Sequence, residues 1–161
     1  MELYRQEIEK LFLNYRRFNQ WNRFEMVTKS RQKMEELNKI DDFIYKTLND
    51  LLFDAVPEFK TVFELDSSNY NFSGGIYLLM NEFASFLAKE IEIEPAGAVV
   101  SKAFAFINQL GESNNLEVLN ILKVGILEII YTEKNIDREM VAGCLSEKLQ
   151  KYFYEFSHYY N

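Results

Sequence analysis

At 161 residues the chain is long enough to bury a core without disulfide staples, and one domain is expected. Its single cysteine excludes an internal disulfide framework and fits a reducing compartment. The net charge of −7 is uneven: residues 1–50 carry 10 Lys and Arg against 9 Asp and Glu, a balance of +1, whereas residues 51–161 carry 8 against 16, a balance of −8.

An acidic body repels nucleic acid and draws basic proteins, although acidic surfaces also serve solubility alone. The opening MELYRQEIEK is charged from its second residue and has no apolar signal core, so export is not expected. No run reaches the ~18 uncharged apolar residues of a membrane span; Lys123 and Glu128 interrupt the best candidate. These features point to a soluble, cytoplasmic protein.

Residues 2–20 read as an amphipathic helix on Tyr4, Ile8, Leu11, Tyr15 and Phe18, with Arg5, Glu9, Arg16 and Arg17 on other faces. The segment NQWNRFEMVTKS has no clean period and is either a turn or a bent continuation. Ser30 is a candidate cap for a second long helix, marked by Met34, Leu37, Ile40, Ile44, Leu48, Leu51 and Leu52. It should end before Pro57, which disfavours helical geometry at Val56. Residues 57–75 are polar and turn-rich, and are expected as a long loop of the kind that often carries function.

Ser73-Gly74-Gly75 leads into a third helix with Leu79, Phe83, Phe86 and Leu87 inward, flanked by Met80 and Ala84. Asn81, Glu82, Ser85 and Lys89 should turn outward. Pro95 suits the first position of a fourth helix, with Val99, Val100, Ala103, Phe104, Ile107 and Leu110 buried and Gly111 as its C-cap. Asn114 or Asn115 caps the next helix. Asp137 caps the last, with Met140, Val141, Cys144, Leu145, Leu149, Tyr152, Phe153 and Phe156 inward.

The helix between those caps, LEVLNILKVGILEIIY over Leu116–Tyr131, is the most apolar stretch. Val118, Leu119, Leu122, Ile126, Ile129 and Ile130 share one arc at ~100° per residue. Ile121, Val124 and Leu127 lie off it, so a second neighbour should pack from the other side. Its polar strip is Glu117, Asn120 and Glu128, with the two acids nearly in line. The fold class is therefore all-α, an antiparallel multi-helix bundle: long helices over 1–56, the loop 57–75, and a four-helix part over 76–158. The C-terminal helices would also suit HEAT-like stacking.

No motif specifies catalysis. His158 is the sole histidine and stands near the end of the chain, so it cannot supply a His-rich metal site. Cys144 has no histidine near it in sequence and reads as a small buried hydrophobe. Ser73-Gly74-Gly75 precedes a helix but lacks the lysine and hydroxyl of a phosphate loop. Glu117 and Glu128 stand ~16 Å apart along an ideal axis, too far for paired acid–base work on one bond. No cofactor, metal or enzyme activity is expected. RRFNQWNRF mixes Arg16, Arg17 and Arg23 with Phe18, Trp21 and Phe24, types that stack on single strands. The helix stripe claims Phe18, however, and the acidic remainder weighs against nucleic acid.

The order of a VPEF element, an aromatic-rich stretch, GGIYLLMNEFASFLAKEI, AFAFINQLGES, NNLEVLNILKVGILEII and CLSEKLQKYFYEF resembles a bacterial family. Its members are small all-helical immunity proteins of polymorphic toxin and contact-dependent inhibition systems. The resemblance is one of hydrophobic pattern over about residues 50–158 and leaves the first ~45 residues outside it. It implies inhibition of a cognate toxin domain by binding, in the cytosol, with no catalytic residues to carry over. A basic nuclease would suit the acidic body. Expected contact residues are Glu64, Asp66, Tyr70, Tyr77, Glu82, Glu117, Asn120 and Glu128, the aromatics as anchors and the acids as partners for Arg and Lys. The alternative is a helical scaffold or adaptor that assembles through its N-terminal helices, with itself as a homodimer or with another protein.

Overall fold

A computed structural model describes residues 31–32, 44–67 and 75–160. The chain packs as two compact units, Met1–Phe43 and Ile44–Asn161. The helix expected over 2–20, the segment after it, the Ser30 cap, Met34, Leu37, Ile40, Tyr70 and the Ser73-Gly74 step lie outside the described residues.

Among the described residues the fold is all-helical, as the periodicity predicts. Helix α1 covers 44–55, and Val56 breaks from it as Pro57 demands. The loop expected from residue 57 is instead helical over its first part: α2 spans Pro57–Ser67. Pro57 occupies the first turn, where its missing N–H costs nothing. The Val56 carbonyl starts the new ladder, accepting from the Phe59 and Lys60 N–H groups at 3.0 and 3.3 Å. Phe59, Val62 and Phe63 stand at helical spacing, a signal masked by the polar residues between them.

Helix α3 spans Gly75–Ile93, α4 Ala98–Gly111 and α5 Leu116–Leu122. The last runs without a break through a π-helical turn, Lys123–Leu127, into α6, Glu128–Thr132. Asn115 caps α5 by accepting from the Glu117 and Val118 N–H groups at 2.9 and 3.3 Å. Pro95 does not open α4: it stands in the turn after α3, and α4 begins at Ala98 behind Gly97. Nor is Gly111 a C-cap. It is the last residue of α4, and the right-handed Glu112 follows as the cap.

The final helix, expected as one, is two. Helix α7 spans Arg138–Cys144, capped by Asp137, and α8 spans Glu147–Glu155 before a 3-10 turn at Phe156–His158. At the break, the side chain of Asn108 on α4 donates to the Cys144 carbonyl and accepts from the Ser146 N–H, both at 2.9 Å. Cys144 is half-buried rather than buried, its sulfur 4.0 Å from that of Met140.

The core forms where α3 lies along α5, the π turn and α6, with α4 and α8 packed beside them. Ile121, Leu122, Ile126, Leu127 and Ile130 are fully buried, as are Met80, Phe83, Ala84 and Leu87 on α3. Of the three off-arc residues, Ile121 and Leu127 meet the second neighbour; Val124 remains 44% exposed. Phe59 ties α2 into this core, with ring centroids 5.3 Å from Phe83 and 5.4 Å from Phe86. No helix among the described residues is long and apolar enough to cross a membrane.

Candidate functional site

Two residues into α3, the Tyr77 side chain leaves the core and meets the polar strip of α5. The Asn115 cap sets the start of α5, and helical spacing then puts Glu117 and Asn120, three apart, on one face. The Tyr77 hydroxyl donates to Glu117 Oε1 at 3.2 Å and accepts from Asn120 Nδ2 at 2.9 Å. Burial first, and then the Glu117 carboxylate, hold the Tyr77 phenol above the ordinary tyrosine range, against an opposing push from Asn120. It stays protonated and keeps its donor aimed at the carboxylate.

The two helices carrying these groups run in the same sense, since Tyr77 meets Asn120 and, one turn on, Met80 meets Gly125. A Cβ at Gly125 would lie 3.0 Å from that of Met80. Asn81, expected outward, is half-buried; with its amide nitrogen facing the π turn it donates to the Gly125 carbonyl at 2.9 Å and to the Tyr77 carbonyl at 3.2 Å. The widened turn is thus clamped directly below the polar triad. π turns of this kind recur at functional positions.

Beside the triad lies an open groove of about 390 Å³, lined by Leu116, Glu117, Leu119, Asn120, Lys123 and Tyr152. Leu116 is 81% exposed at its edge. The Lys123 ammonium rests 3.5 Å from the centre of the Tyr152 ring. The surface therefore combines fixed acceptors, an aromatic face and aliphatic walls, the mixture of a recognition surface. Among the described residues no three His, Cys, Asp or Glu side chains converge as metal ligands.

A family model described as Domain of unknown function (DUF7674) matches residues 49–161. The chain belongs to that family. No curated protein and no solved structure matches it. The DUF7674 region begins just inside the second unit, so the triad, the π turn and the groove all lie within it.

Of the residues singled out from sequence, Tyr77, Glu117 and Asn120 come together in this part of the DUF7674 domain. Glu128 does not join them. A π turn takes one more residue than an α turn, which sets everything after it back by roughly 100°. The in-line strip is therefore broken, and the Glu128 carboxylate instead accepts from the Tyr160 hydroxyl. Glu82 is exposed on α3, about 140° around the helix from Tyr77. Glu64 and Asp66 are exposed on α2, Glu64 with its carboxylate 3.9 Å from the Lys60 ammonium. Nothing in the sequence marks Lys123, Tyr152 and Leu116 as site residues. Tyr152 reads as an inward core position, and only its half-exposure beside Lys123 reveals a ring face.

Proposed function

We propose that this DUF7674 protein is a non-enzymatic, immunity-type binding protein. It neutralises a cognate bacterial toxin domain, of basic nuclease type, in the cytoplasm by occluding its active site or substrate cleft. The observation that carries this reading is the Tyr77–Glu117–Asn120 triad. It fixes a carboxylate and an amide at the rim of an open groove, and both supporting helices are anchored in the core. Acceptors held rigidly on helices lose little entropy when they meet Arg or Lys of a partner. The balance of −8 over residues 51–161 supports the same partner class, because it accelerates encounter with a basic surface. The pattern resemblance to immunity proteins supports it independently.

The test is co-expression with the product of the adjacent upstream gene, proposed to be the toxin. A stable complex and rescue of growth are expected, and Glu117→Lys should weaken both. Neither complex nor rescue would overturn the proposal.

A further inference from the structure

Lys123 and Glu117 line one groove without pairing. Among the described residues the Lys123 ammonium contacts only the Tyr152 ring, and no carboxylate neutralises it. Glu117 receives the Tyr77 phenol on Oε1, and its second oxygen accepts no hydrogen bond among the described residues. Asn120 spends its amide nitrogen on Tyr77 and leaves its carbonyl oxygen without a donor there.

We propose that this groove is a subsite for an arginine side chain of a protein partner, and that Lys123 occupies its aromatic face until the partner arrives. The inference rests on the binding role proposed above and names the chemistry of its central contact. Tyr152 already holds a cation at 3.5 Å, well inside the ~6 Å reach of a ring quadrupole. A guanidinium is flat, so it stacks on the ring while its edge donates to Glu117 and Asn120. Its aliphatic stem lies along Leu116 and Leu119, which form the apolar walls. An ammonium is a compact point charge with no flat face to stack, so it matches the ring and the two acceptors together less well. Lys123 has a flexible stem and swings into solvent when displaced, so no charge is stranded.

The full-length protein, labelled with nitrogen-15, is titrated by NMR with three capped tripeptides, Gly-X-Gly, where X is arginine, lysine or citrulline. The arginine peptide is expected to move the amide signals of residues 116–123 and 152 with a dissociation constant on the order of millimolar. Citrulline keeps the shape but loses the charge and should bind about tenfold more weakly, with lysine between the two. Lys123→Met removes the resident cation and should tighten arginine binding about two- to fivefold. Glu117→Gln, which can still accept from Tyr77, should weaken it about tenfold. Citrulline or lysine binding as tightly as arginine would overturn the subsite. So would shifts confined to other residues, or an unchanged or weaker affinity in Lys123→Met. Toxin protection without arginine binding counts against the subsite alone, whereas arginine binding without toxin protection counts against the immunity role alone.

Discussion

A methyl group at Gly111 would sit 2.9 Å from Cγ and Cδ1 of Leu149, a side chain that is itself fully buried and has no space to swing into. The glycine is there because α8 crosses α4 at that point, and Lys148 completes the contact by donating to the Gly111 carbonyl at 2.6 Å. Gly111→Ala is therefore expected to cost about 1–3 kcal/mol of stability, read as a lower urea midpoint at unchanged slope. An unchanged midpoint would mean that α8 moves freely on α4. Tyr77→Phe is a different kind of loss. It keeps the ring and removes one hydroxyl that serves two partners, so a cost of about 0.5–1.5 kcal/mol is expected. A double-mutant cycle with Asn120→Ala should show that this cost is shared between the two residues.

At the scale of elements, the break between α7 and α8 depends on a residue from neither. The Ser146 hydroxyl stands at the N-cap position of α8 but makes no cap bond, and among the described residues it is buried without a hydrogen-bond partner. Asn108 fixes the corner in another way, holding the Cys144 carbonyl at the end of α7 and the Ser146 N–H before α8. Asn108→Ala leaves both part-buried groups without this partner and should cost about 1–2 kcal/mol. Hydrogen exchange should quicken first at residues 145–150, where the corner would loosen; exchange quickened uniformly would show that Asn108 acts on the whole fold instead. The π turn has a matching cause. Gly125 lets α3 approach, Asn81 feeds its carbonyl, and the helix then resumes with Glu128 turned toward Tyr160.

For the whole molecule, charge acts on stability and on encounter separately. The Lys102 ammonium, 2.6 Å away, lowers the Glu58 pKa and so links α4 to α2. A carboxylate whose pKa is depressed on folding contributes stability above its unfolded value of 4.5, and that contribution is lost as pH falls through and below that value. Both side chains are about two-fifths exposed, at 45% and 39%, so solvent screens the pair and the loss should stay below ~1 kcal/mol. Lys102→Met should flatten that acid-side step in denaturation curves collected across pH. At the alkaline end the signs reverse. Tyr77, through burial, and Tyr160, through its bond to Glu128, are raised above 10.0; their contribution is present below that pH and is lost as pH rises through their folded values. In binding, Glu117→Lys should slow association with a basic partner and flatten its salt dependence. Glu128→Lys should do less, because that carboxylate is engaged by Tyr160. Equal effects at the two positions would place Glu128 in the interface as well.

How much of this is legible in the chain follows from what is local. Apolar spacing near 3.6 residues reports burial one helix at a time, so the sequence alone determined the all-α class, the core faces of α3 and α4 and the Asp137 cap, and narrowed the α5 cap to Asn114 or Asn115. On the α5–α6 helix the expected arc holds Leu122, Ile126 and Ile130 buried, but Val118, Leu119 and Ile129 are half-buried. Composition likewise determined the acidic body. The rest depends on contacts between distant residues. Helix α2 exists because Phe59 finds Phe83 and Phe86, a partnership its polar local sequence conceals. Gly111 looks like a helix terminator until Leu149 arrives beside it, and one long final helix becomes two because Asn108 reaches in from α4. Glu117 and Asn120 share a helix face by spacing alone. That Tyr77 lies across from them, 40 and 43 residues away, and that Glu128 is turned off their strip, only the packed structure decides. Local periodicity sets which face of a helix is buried; which residue meets it there, and how closely, is set by the neighbour.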